Sequence, residues 1–177
     1  MNLCLADVSH EQNNQLLIQE DVFIATVRNY PNCFIHSNGN KTGKKVYVNG
    51  MLYANIFNVE NFCRYFFFRW KTHHEFLHFR NNNGNPLLFL TSQVLYVIEL
   101  KFLGLESNAE EELAIIDYRK KQFSKLMAPH GIRVEYICAL SSAFKNPIYR
   151  DILAYLKSVN CLFSFNGVPA AWLGFGR

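Results

Sequence analysis

Residues 85–102 read NPLLFLTSQVLYVIELKF. Two runs of strand-forming residues, Pro86 to Thr91 and Val94 to Phe102, flank the short turn Ser92-Gln93, and this predicts a β-hairpin. The second run stays apolar until Glu99 and Lys101. Residues i and i+2 of a strand share a face, so the carboxylate and the ammonium are expected side by side, with Ile98 and Leu100 turned to the core. Two charges inside an apolar strand are unfavourable unless partnered. They mark a chemical site or, more plainly, an edge-strand salt bridge.

Downstream of this hairpin, Asn108 to Met127 has an acidic first turn, a basic second half, and Leu113, Ile116 and Phe123 on one face, the pattern of an amphipathic helix aligned with its dipole. Arg133 to Leu140 (RVEYICAL) reads as a strand, Asn146-Pro147 opens a helix to about Asn160, and CLFSF (161–165) forms a last strand before a Gly-rich tail. Upstream, NNNGN (81–85) is a loop and Asn58 caps a helix carrying Val59, Phe62, Cys63, Phe66 and Trp70 to about Lys71. Beyond Lys71 either the helix continues to Arg80, or His74 to Phe79 start a strand. KKVYVNGMLYANI (44–56) is a hairpin turned at Asn49-Gly50, YPNCFIHSNGNKTGKK (30–45) a turn-rich connection, and the first 29 residues a helix from about Ser9. Strand, strand, helix, strand, helix, strand in this order predicts an α/β fold: a central mixed β-sheet flanked by helices, preceded by an N-terminal helix and β-hairpin.

The chain has 177 residues, half of them apolar and 15% aromatic, so a single domain with a sizeable core is expected. No apolar run approaches the roughly 20 residues of a membrane helix, and the Met1 end lacks the features of a signal peptide. The expected location is intracellular, cytoplasmic or nuclear, with no membrane partner. Five dispersed cysteines without a C-x-x-C pair read as reduced thiols. The net charge of +4 permits nucleic acid as a partner without demanding it.

His74-Glu75-Phe76-Leu77-His78 spells the H-E-x-x-H of zinc hydrolases, in which two imidazoles on one helical face share zinc and the glutamate activates water. Here the flanks argue against it. Lys71 and Arg80 bring charge where a metal-activated water needs an apolar wall, and HFRNNNGNP offers no third histidine. Were the segment a strand, residues 74 and 78 would lie about 13 Å apart. A surface histidine cluster is the plainer reading, with a small zinc hydrolase as the third functional alternative.

Glu99 and Lys101 suit different chemistry: a carboxylate holds Mg²⁺ through oxygen, and a neighbouring lysine steadies an attacking water or developing phosphorane charge. The segment NPLLFLTSQVLYVIELKF, followed by an amphipathic helix with Gln122 and then HGIRVEYICAL, resembles the PD-(D/E)xK nuclease superfamily, which includes restriction endonucleases and Holliday-junction resolvases. The resemblance covers about Val59 to Phe165 as an order of elements, with residue identity at Glu99 and Lys101. It implies a restriction-endonuclease-like core over 58–166, an N-terminal helix and hairpin extension over 1–57, and a tail at 167–177. It further implies a hairpin uniting an aspartate with the E-x-K pair, a crossover helix, and a strand returning beside the active one. Where that family carries Pro-Asp, this chain has Pro86-Leu87, and there is no aspartate between Asp21 and Asp117.

Since Mg²⁺ relies on one or two carboxylates plus substrate phosphate, the resemblance implies either a substitute acid or lost catalysis. Glu75 is the leading substitute and Glu60 the second, with His74 or His78 near the same metal. The implied function is metal-dependent cleavage of phosphodiester bonds in DNA, or less favourably RNA, using Mg²⁺ or Mn²⁺. Glu99 and Glu75 would be metal ligands and Lys101 the electrostatic stabiliser. The alternative is a catalytically silent member of that fold that binds nucleic acid or serves as a structural subunit. Lys44 and Lys45, with Lys41, form one basic cluster, and Arg119, Lys120 and Lys121, beside Gln122, form another, both expected to meet phosphates. Tyr47, Tyr53 and Trp70 are candidates to stack on bases. By analogy with strand-cutting relatives, a homodimer is expected.

Overall fold

The computed structural model describes residues 20–37, 43–70, 86–101 and 109–175, those at 67–70, 101, 109 and 110 by their backbone alone. The described strands form one sheet in chain order: β1 (Cys33–Ser37), β2 (Lys44–Val48), β3 (Met51–Phe57), β4 (Leu87–Leu90), β5 (Val94–Lys101), β6 (Arg133–Leu140) and β7 (Leu162–Phe165). β1 to β5 pair antiparallel, while β5, β6 and β7 pair parallel. The switch follows from the connections. The tight turns after β2 and β4 can return only an antiparallel strand, β4 lies antiparallel to β3 after the longer connection that contains a helix, and the parallel pairs need crossovers. These are α3 (Ala109–Ala114) with α4 (Ile116–Met127) between β5 and β6, and α5 (Arg150–Ser158) between β6 and β7. The expected mixed sheet with flanking helices is therefore present. None of the described helices is long and apolar enough to cross a membrane.

Both faces of the sheet centre are covered. On one, α2 (Val59–Trp70), α3, α4 and α5 pack over Leu88, Leu95, Val97, Tyr136, Cys138 and Leu140. On the other, helix α1 (residues 20–28) delivers Phe23, Ile24 and Val27, and the C-terminal turn delivers Val168, Leu173 and Phe175, over Ile56, Phe89, Ile98 and Ile137. This explains why β4 and β5 read as continuous apolar runs rather than alternating ones: a strand buried on both faces has no solvent side to mark with polar residues. Of the expected helix from about Ser9, residues 20–28 are described and helical, and the rest lies outside the described residues.

Local sequence accounts for the boundaries. Asn58 Oδ1 accepts the Asn61 N–H at 2.8 Å and caps α2. Asn49 and Gly50 both have positive φ, 51° and 78°, turning β2 into β3 as expected. Thr91 seals the β4–β5 turn, its Oγ1 accepting from Val94 N at 2.9 Å. Gly43 has φ of 76°, and a Cβ there would fall 2.5 Å from the Ile56 carbonyl oxygen, so both the conformation and the space require glycine.

Four expectations change. The connection at 30–45 contains strand β1, whose alternation of exposed Phe34 and His36 around buried Ile35 is the pattern of a one-sided edge strand. The helix expected from Asn108 to Met127 is two segments broken at Ile115, where the Tyr155 hydroxyl donates to the Ala114 carbonyl at 2.9 Å. Ile98 does face a core, but Glu99 does not face away from one. It points into the larger, helix-covered layer, because this strand is buried on both sides. Finally, the Gly-rich tail is packed: Leu173 is buried and Gly174 turns at φ 80° against the Tyr53 hydroxyl.

Candidate functional site

Along β5, Leu95, Val97 and Glu99 occupy one face by the two-residue period, and the first two are wholly buried among the helices. Glu99 therefore enters the same layer and is itself only 5% exposed. The parallel register sets Val97 beside Tyr136 and Glu99 beside Cys138 on β6, which brings the Tyr136 ring alongside the Glu99 carboxylate. From above, α4 contributes Arg119. On that helix Ile116 and Phe123 are buried, and Arg119, three residues after one and four before the other, falls on the same inward stripe.

The three side chains meet on one atom. Arg119 Nη1 donates to Glu99 Oε1 at 2.7 Å, and the Tyr136 hydroxyl donates to the same oxygen at 2.7 Å. Burial alone would lower the Arg119 pKa, but the Glu99 charge, with Tyr136, outweighs it and holds the guanidinium above its ordinary value. Burial, reinforced by the adjacent carboxylate, pushes the Tyr136 phenol well above its usual range. The guanidinium thus keeps its charge beside Glu99 and the phenol keeps its proton. Among the described residues, Arg119 Nε and, three residues on along α4, Gln122 Oε1 are buried without a hydrogen-bond partner.

The remaining candidates are dispersed. Glu60, on the exposed side of α2, pairs with Arg64 at 2.7 Å, one helical turn on. Glu75, His74 and His78 lie outside the described residues, as does the Lys101 side chain. The second basic cluster is split by helix geometry: Arg119 turns inward, Lys120 Nζ donates to the Asn160 carbonyl at 2.6 Å just past the C-terminus of α5, and Lys121 pairs with Asp117 at 2.6 Å. Gln122 Nε2 donates to the Tyr118 hydroxyl at 2.8 Å. Lys44 pairs with Glu20 of α1, while Lys45 sits on the opposite face of β2, between His36 of β1 and Asn55 of β3. Tyr53 is committed to the fold, donating to the Leu173 carbonyl at 2.8 Å and stacking on Phe175.

Glu99 offers a carboxylate already bonded to a guanidinium and a phenol, and among the described residues no group of three or more His, Cys, Asp or Glu comes together to hold a metal. Sequence reading singled out Glu99 but missed both its partners. The signal for Arg119 was its place between Ile116 and Phe123. Tyr136 offered none, because its role depends on the β5–β6 register. No family model, curated protein or solved structure matches this chain.

Proposed function

We propose that this chain is a nucleic-acid-binding protein built on a nuclease-like core, one that holds its polymer without hydrolysing it. One observation carries the reading: the acid of the E-x-K pair, Glu99, is buried and neutralised by Arg119 at 2.7 Å. A guanidinium at that distance repels an incoming Mg²⁺, and removing one member of a buried pair costs about 3–5 kcal/mol. Magnesium binding has to overcome that loss before coordination contributes anything. The hairpin β4–β5, the crossover through α3 and α4, and the return of β6 beside β5 agree with the order of elements that suggested the nuclease-like core. They carry no chemistry by themselves.

The test is incubation of the full chain with single-stranded and duplex DNA and RNA in Mg²⁺ and in Mn²⁺, read on denaturing gels and by mobility shift. Retarded but intact nucleic acid is the expected result. Metal-dependent cleavage that disappears in Lys101→Ala replaces this reading with the hydrolytic one, and absence of any retardation removes both.

A further inference from the structure

Among the described residues, the helical layer covers β4 to β7 and the Phe57 end of β3 but leaves the same face of β1, β2 and the start of β3 open. Ile35, Val46, Ala54 and Ile56 face the α1 core, and Phe34, His36, Lys45, Tyr47 and Asn55 alternate with them to the other face; a β-bulge in β3 turns Tyr53 to the α1 core beside Ala54 and leaves Leu52 opposite Tyr47. Register sorts those neighbours into two rows. Phe34 of β1 pairs with Tyr47 of β2, which pairs with Leu52 of β3; two residues along β1 and β2, and three along the bulged β3, His36 pairs with Lys45, which pairs with Asn55. Rows on one strand face stand about 7 Å apart. Phe34 is 62% exposed and Leu52 53%, and His36 is exposed. The Phe34 and His36 rings lie 6.4 Å apart with planes tilted by 31°. No carboxylate occurs among these six residues.

The geometry points to this face as a platform for single-stranded nucleic acid. This inference rests on the nucleic-acid reading above and assigns it a place and a substrate class. A sheet surface carrying aromatic rings beside a lysine and an imidazole N–H donor suits an unpaired polymer, whose bases stack on the rings while its phosphates meet Lys45 and His36. A duplex keeps its base faces stacked within itself and cannot use Phe34 or Tyr47 in this way. An acidic protein partner would satisfy Lys45 but leave the exposed rings without their counterpart. At the Phe57 end the platform stops where α2 covers the sheet, the Phe57 ring lying against Phe62 and Tyr65.

Fluorescence anisotropy with a labelled 20-nucleotide oligo-dT, its RNA equivalent and a duplex of the same length tests the inference on the full chain. Single strands are expected to bind more tightly than duplex. Phe34→Ala and Tyr47→Ala are each expected to weaken that binding about tenfold or more, and Lys45→Gln to flatten its salt dependence. Far-UV circular dichroism separates lost contacts from lost fold, and exposed Phe34 keeps the test valid where the half-buried Tyr47 variant fails to fold. Wild-type affinity in the Phe34→Ala and Lys45→Gln variants overturns the placement and leaves the nucleic-acid reading standing. Preference for duplex overturns the substrate class. No binding by the wild type to any probe overturns both. A dimer that dissociates in Phe34→Ala while oligonucleotide affinity is unchanged assigns the face to a second copy of the chain instead.

Discussion

Glu99 Oε1 accepts two hydrogen bonds of 2.7 Å inside the apolar, helix-covered layer. Its stability contribution is asymmetric. Arg119→Ala leaves a carboxylate without its cation and is expected to lower unfolding free energy by about 3–5 kcal/mol, read from the urea midpoint. Replacing both partners, Glu99→Met with Arg119→Met, is expected to be near neutral or stabilising. Equal losses in the single and double variants would show that the pair is not desolvated as described. Tyr136 adds a pH dependence of definite sign. Its folded pKa is raised, so the native state retains the phenolic proton that the unfolded chain releases near pH 10. The contribution is whole below about pH 10 and is lost as pH rises toward the folded value. Tyr136→Phe should remove that alkaline decline, measured as the difference between the two urea midpoints from pH 8 to 11. At this scale the sequence announced the problem, the charges of Glu99 and Lys101 in an apolar strand, but not the partners that solve it for Glu99. Arg119 is 20 residues away and Tyr136 is 37, and only packing brings them to one oxygen.

Elements whose signals are local were readable, and those fixed by packing were not. The Asn49-Gly50 turn and the Asn58 cap depend on a few adjacent residues, and both stand where short-range chemistry puts them. Asn58→Ala should therefore act on the element alone, removing the bond to Asn61 N and destabilising the chain by about 1 kcal/mol by thermal or urea unfolding, with the sheet unchanged. A loss several times larger would mean that Asn58 serves more than the α2 terminus. Strand β1 was hidden because a five-residue edge strand alternates only weakly and follows Asn32, whose positive φ of 56° belongs to the turn before it. The break at Ile115 was hidden for a different reason. Periodicity runs through it from Leu113 to Ile116, both buried, while the Tyr155 hydroxyl that meets Ala114 comes from 41 residues further on.

Across the whole molecule, the sheet changes character at β3. From β4 to β6 each strand is flanked by neighbours on both sides and buried on both faces, whereas β1 pairs only with β2 among the described strands and exposes Phe34 and His36. The two halves therefore do different work, the centre holding the fold together and the first three strands presenting a surface. Native-state amide hydrogen exchange should reveal this division. Amides of β5 and β6 open only with the global unfolding transition, because breaking their ladders exposes both cores at once. Those of β1 open by local fraying that uncovers little more than Ile35, and are expected to exchange orders of magnitude faster. Saturating oligonucleotide should slow exchange in β1 and β2 while leaving β5 and β6 unchanged, since a ligand raises protection where its binding opposes opening. Protection of β1 equal to that of β5 in the free chain would mean that the β1–β3 face is already covered, and the division of labour between the two halves would fall with it.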